Sequence, residues 1–79
     1  MNRAEIYDKL NEVFCDIFDS ESISIQDSTT AADIDEWDSL THIALMAEVE
    51  EVFDVKFSMK DIVQFKNVGE MVDVIASQL

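Results

Sequence analysis

Apolar residues return at three- and four-residue intervals in three stretches of this chain, and runs of Asp, Ser, Thr and Asn separate them. In residues 3–18, Ile6, Leu10, Val13, Phe14 and Ile17 line one face, which predicts a first helix. In residues 39–53, His42, Leu45, Met46, Val49, Val52 and Phe53 share one broad side and predict a second helix with that side in the core. Its other side carries Ser39, Leu40, Ile43, Ala47, Glu50 and Glu51. After Asn67, a stripe of Val68, Met71, Val72, Ile75 and Leu79 predicts a last helix, with Asn67 as its cap and Glu70 three residues on. Ser58, with Asp61 at capping-box distance, opens a short helix whose expected apolar contacts are Ile62, Val63 and Phe65. Residues 54–57 between them read as extended.

Residues 19–37 read as a loop rich in turn and cap formers: Asp19, Ser20, Glu21, Ser22, Asp27, Ser28, Thr29 and Thr30. A loop this long in a small domain needs support. Ile23, Ile25 and Ile34 are expected to pin it to the core. Either a short helical turn forms near Ala31 to Ile34, or the loop packs across the helices. The chain has no proline and one glycine, too few turn formers for a β-meander. The expected fold is all-α: one domain over 1–79, a small four-helix bundle of three longer helices and one short one, with a long loop between helices 1 and 2. Met46, Met59 and Met71 are expected to fill core space.

Composition narrows the function. At 79 residues the core is small, and no cleft could enclose both substrate and catalytic groups. An enzyme acting alone is therefore not expected. Apolar residues make up 48%, too many for a disordered acidic tail. The formal charge is −13, from 18 acids and 5 bases, which disfavours nucleic acid and anionic membrane and favours a protein with a basic docking face. One cysteine, Cys15, excludes an internal disulfide. It falls about opposite Ile6 and is expected on a solvated or lightly covered face, with no basic neighbour to activate it. Arg3, Glu5, Asp8 and Lys9 interrupt any apolar leader, and no run is long enough to span a membrane. A cytoplasmic monomer is the expectation.

The candidate chemistry lies at Asp35-Glu36-Trp37-Asp38-Ser39-Leu40-Thr41-His42-Ile43, where the acidic loop gives way to the second helix. Asp38 suits the N-cap. Ser39 then places a hydroxyl in the first helical turn, where unpaired N–H groups and the local field favour an anion. A phosphate on that hydroxyl would be well placed. Asp38, Ser39 and His42 are the residue types of a hydrolase triad, but adjacent Asp and Ser diverge on a helix and His42 projects toward the core. No glycine-rich turn is present to build an oxyanion hole. His42 is expected as a satisfied histidine at the core edge. Asp33-Ile34-Asp35 begins like a calcium loop, but Trp37, Asp38 and Ala44 stand where Asp or Asn, Gly and Glu are required. No dedicated metal site is expected; these acids remain loose surface ligands for divalent ions.

Asp38-Ser39-Leu40 followed by an amphipathic acidic helix resembles the carrier proteins of fatty-acid, polyketide and nonribosomal peptide synthesis, and the likeness spans nearly the whole chain. The resemblance implies 4′-phosphopantetheine attached covalently to Ser39, with Asp38 and Leu40 as the flanking motif residues. It implies docking through Leu40, Ile43, Ala47, Glu50 and Glu51. The implied partners are a phosphopantetheinyl transferase, an acyl-loading ligase or transferase, and downstream synthase enzymes with basic docking faces. Thr41 and Ala44 replace acids common in fatty-acid carriers, and Trp37 replaces a small or aliphatic residue. Those departures bear on the cargo and the partner set. The competing reading is an acidic helical adaptor without a prosthetic group, using the same face. One electrostatic expectation accompanies either reading: mutual repulsion should raise the folded pKa values of clustered carboxylates, so that salt and mild acidification stabilise the chain.

Overall fold

A computed structural model describes residues 2–79. It contains α1 (Arg3–Ile17), α2 (Ser39–Phe53), α3 (Met59–Gln64) and α4 (Val68–Gln78), with a 3₁₀ turn at Ala31–Asp33 inside the long loop. No strand occurs among the described residues. Local chemistry sets each helix start. Asn2 caps α1 by accepting from the Glu5 N–H, and the Glu5 carboxylate accepts from the Asn2 N–H in return. Ser58 and Asp61 repeat that reciprocal pair at α3. Asn67 accepts from the Glu70 N–H at α4, but there Glu70 reaches the Lys66 N–H instead of closing the pair. α2 ends at Asp54, whose left-handed backbone (φ 55°) lets the chain turn without glycine, a conformation Asp tolerates better than most residues.

α1 packs against α2 and α4. Ile6, Leu10, Val13 and Phe14 of α1 meet Leu45, Met46, Val49 and Phe53 of α2 and Val68, Met71, Val72 and Ile75 of α4 in one core. Asp54, expected as part of an extended 54–57 segment, instead makes the left-handed turn, and Val55 and Phe57 beyond it are buried with the core. Gln78 clamps that segment by accepting from the Lys56 N–H and donating to the Lys56 carbonyl.

Both expectations for the long loop hold: it forms the short turn and it also packs over the helices. Ile25 and Ile34 are buried, and Ile23 packs at the core margin. Asn11 of α1 fastens the loop, its Oδ1 accepting from the Ile25 N–H (2.9 Å) and its amide donating to the Ile23 carbonyl (3.0 Å). The loop also completes α4. The carbonyls of Thr29 and Asp27 accept from the N–H groups of Val68 (2.9 Å) and Gly69 (3.0 Å). A Cβ at position 69 would lie 3.1 Å from the Asp27 oxygen, so the single glycine serves this close approach. At the same corner Arg3 bridges Asp27 and Asp73, and Tyr7 donates to Asp27.

Several apolar positions lie elsewhere than their spacing suggests. Met59 and Val63 are 68% and 73% exposed, because α3 spans fewer than two turns and buries no residue of its own. Leu79 lies beyond the last turn and is half exposed. Val52 and Ile17 are only partly covered. Cys15 is half-covered by the loop, its sulfur near the Ile23 carbonyl and the Asn11 amide.

The packing makes Phe14 a keystone. It is fully buried and meets Phe18 and Trp37 at ring separations of 5.9 and 5.2 Å. Phe14→Ala should destabilise the fold by about 3–5 kcal/mol, a large share of the stability of so small a domain. Urea unfolding followed by circular dichroism checks this.

Candidate functional site

The first turn of α2 is built by a reciprocal cap. Asp38 is extended, and its Oδ1 accepts from the N–H groups of Leu40 (3.0 Å) and Thr41 (2.9 Å). Thr41 Oγ1 accepts from the Asp38 N–H (2.8 Å) and its hydroxyl reaches the Glu36 carbonyl (2.8 Å). A threonine here does what Glu or Gln does in the commoner capping box. The Thr41 N–H bond is the main cause that holds the Asp38 carboxyl below the usual range. Ser39 is the first helical residue, exposed, and its hydroxyl takes part in none of these bonds. It projects where the helix field favours negative charge, and no acid of α2 occupies that turn.

Beside Ser39 runs an open groove of about 410 Å³, lined by Ala31, Trp37, Ser39, His42, Val63 and Lys66 among others. Trp37 is buried at its base, edge-on to Phe14, and its indole N–H donates to His42 Nδ1 (3.0 Å). His42 Nε2 lies 2.9 Å from the Ile62 carbonyl of α3. The expectation of a satisfied core-edge histidine is met, and both partners are new. The residue types alone did not disclose this chain of contacts, because it joins a loop, α2 and α3.

The proposed docking residues separate into two kinds. Leu40 and Ile43 are 83% and 52% exposed, and Ala47 and Glu51 are exposed further along the same helix. Glu50 is half-buried, and one of its oxygens accepts from the Phe57 N–H (2.8 Å). Its first duty is to hold the chain as it leaves α2, which a helical projection cannot show. Among the described residues no group of three or more His, Cys, Asp or Glu is placed to hold a metal ion, and no helix is long and apolar enough to cross a membrane.

A free hydroxyl at a helix start, beside an open groove, fits a covalently attached phosphate ester whose arm can lie along the groove. The family model described as "Phosphopantetheine attachment site" matches residues 8–75. The chain belongs to that family. The fold is also similar to the solution structure of a holo acyl carrier protein from Geobacter metallireducens, with a TM-score of 0.86 and 36% identity, over 91% of this chain and 83% of that one. The protein is therefore a carrier with a phosphopantetheine prosthetic group, not an enzyme. The adaptor reading without a prosthetic group is not favoured.

Two carboxylates correct the repulsion argument. Asp27 and Asp38 are both held low, Asp27 chiefly by the hydrogen bond from Tyr7 and then by Arg3. Tyr7 is pushed up to about 12, first by burial and then by the bond to Asp27. At these two sites local hydrogen bonds outweigh the charge of the rest of the chain. A carboxylate depressed on folding stabilises above its unfolded pKa, near 3.9, and that contribution is lost as pH falls through the folded value. Acid melting of the wild type should therefore set in below about pH 4. Asp38→Asn, which keeps an N-cap but cannot titrate, should show a shallower decline in melting temperature over that interval.

Proposed function

We propose that Ser39 is the attachment residue, and that the chain is a cytoplasmic, monomeric carrier that presents acyl or aminoacyl thioesters to a series of partner enzymes. The observation that carries this reading is the exposed, unbonded Ser39 hydroxyl at the capped start of α2, within the matched family segment. Bound there, the group supplies a thiol on a flexible tether, which keeps its cargo at high effective concentration near each partner.

In loading, the Ser39 oxygen forms a bond to the coenzyme A phosphorus that bears the pantetheine. The phosphoanhydride bond breaks, and adenosine bisphosphate leaves with its charge neutralised by Mg²⁺ on the transferase. The hydroxyl proton passes to a base of that enzyme. Asp38 contributes by holding the first turn, so that Ser39 projects from a rigid helix end, and Leu40 flanks it as an exposed apolar contact. Leu40, Ile43 and Ala47 offer apolar area to a partner, and Glu51 and the free edge of Glu50 offer charge to its Lys or Arg. Exposed apolar residues beside carboxylates support a partner with an apolar groove and a basic rim. The acyl-loading ligase or transferase and the downstream synthase enzymes would share this face in turn.

Incubation with coenzyme A, Mg²⁺ and a broad-specificity phosphopantetheinyl transferase should add one phosphopantetheine to the intact mass. Ser39→Ala should add none while keeping its helical spectrum; equal loading of both would reject Ser39. Ile43→Ala and Glu51→Lys should each lower the kcat/KM of loading by about three- to tenfold. The Glu51 effect alone should shrink as salt rises, since it acts through a screened surface charge.

A further inference from the structure

The ring of His42 is committed at both nitrogens. An indole N–H can only donate, so the 3.0 Å contact from Trp37 requires His42 Nδ1 to accept. In the neutral ring the proton then sits on Nε2 and is donated to the Ile62 carbonyl at 2.9 Å. The two rings also stack, 24° from coplanar with centroids 5.9 Å apart. One side chain on α2 thus holds both the tryptophan that closes the loop and the backbone of α3. All three border the groove beside Ser39. α3 has few other anchors. It is six residues long and fully buries none of them; Ile62 packs at the core margin, and Phe65, just after the helix, rests edge-on against Phe57.

We propose that His42 is a positioning residue that sets the α3 wall of the groove, and that it does so only as the neutral ring. A proton taken up at Nδ1 removes the acceptor and sets one N–H against another. The Trp37 bond and the protonated ring are then mutually exclusive, and Trp37 or α3 must move. Asp38 and Lys66 border the same groove, and α3 carries Lys60 and Asp61. The bonds of the ring go to Trp37 and Ile62, and the Asp61 carboxylate is taken by the Ser58 N–H. The consequence for docking, that the wall beside the attached arm loosens on acidification, rests on Ser39 being the attachment residue; the latch itself does not.

The chain holds one histidine and one tryptophan, so each ring reports alone. The test is nuclear magnetic resonance of the full apo chain. It follows the His42 ring protons, the Trp37 indole N–H and the amide protection factors of residues 62–66. His42→Phe keeps a flat ring without either bond. His42→Gln offers one acceptor and one donor and cannot titrate. At neutral pH, His42→Phe should lower α3 protection about fivefold or more, with α1 and α4 less affected, and His42→Gln should recover most of it. Over a titration from neutral pH into acid, the wild-type indole N–H and α3 protection should change together with the ring. His42→Gln should stay flat over that range. Wild-type α3 protection in His42→Phe, or a ring that titrates while the indole N–H and α3 stay unmoved, would overturn the proposal. If His42→Phe does not fold, the pH comparison of wild type with His42→Gln decides. No readout involves loading, so failure here is separable from failure of the Ser39 assignment.

Discussion

The burial of Trp37 against Phe14 is the contact on which the rest of the site depends. It anchors the end of the 21-residue connection between α1 and α2, residues 18–38, to the centre of the core. One residue later Asp38 turns into the cap, and one residue after that Ser39 begins the helix. An apolar anchor and an N-cap so close together leave the helix start little freedom to slide. The hydroxyl is therefore exposed at a rigid point, although the preceding loop is long and polar. Trp37 carries an indole N–H, which needs a partner once buried. His42 supplies it, and its second nitrogen extends the connection to α3.

The molecule divides its charge between two uses. Most of its acids face water and create a strongly negative field suited to attracting basic partners. A few are spent on architecture. Asp38 caps α2, Glu50 holds the exit from it, and Asp27 receives Arg3 and Tyr7 at the corner where the loop meets α1 and α4. Those carboxylates close off backbone or phenolic donors that would otherwise need water. A repulsive surface and attractive local contacts thus coexist in one acidic chain, and Asp27 and Asp38 show the local contacts winning where hydrogen bonds are short and directed. Glu50 belongs partly to both groups, which sets it apart from Glu51.

Much of this protein was legible from its residues alone. Helix periodicity placed α1, α2 and α4, and the caps Asp38, Ser58 and Asn67 are where Asp, Ser and Asn precede apolar stripes. The junction at Ser39 was legible for the same reason: a cap and a helix start are local events, decided within one turn. The amphipathic stripe of a helix is likewise local, so most of the core could be named before any packing was known.

What only the tertiary structure decided are the contacts between elements distant in the chain. Met59, Val63 and Leu79 look apolar and periodic, yet a helix of fewer than two turns and a chain end offer no neighbour to cover them. Asn11 gripping the loop, the carbonyls of Asp27 and Thr29 capping α4, and the Trp37–His42–Ile62 chain all join segments whose approach no periodicity encodes. Sequence by itself determined the helices, their caps and the exposed serine, because those follow from hydrogen bonding and burial within a few residues. The groove beside that serine, and the histidine that holds its wall, exist only once the packing of α1, α2 and the loop has brought Trp37 and α3 to the same side chain.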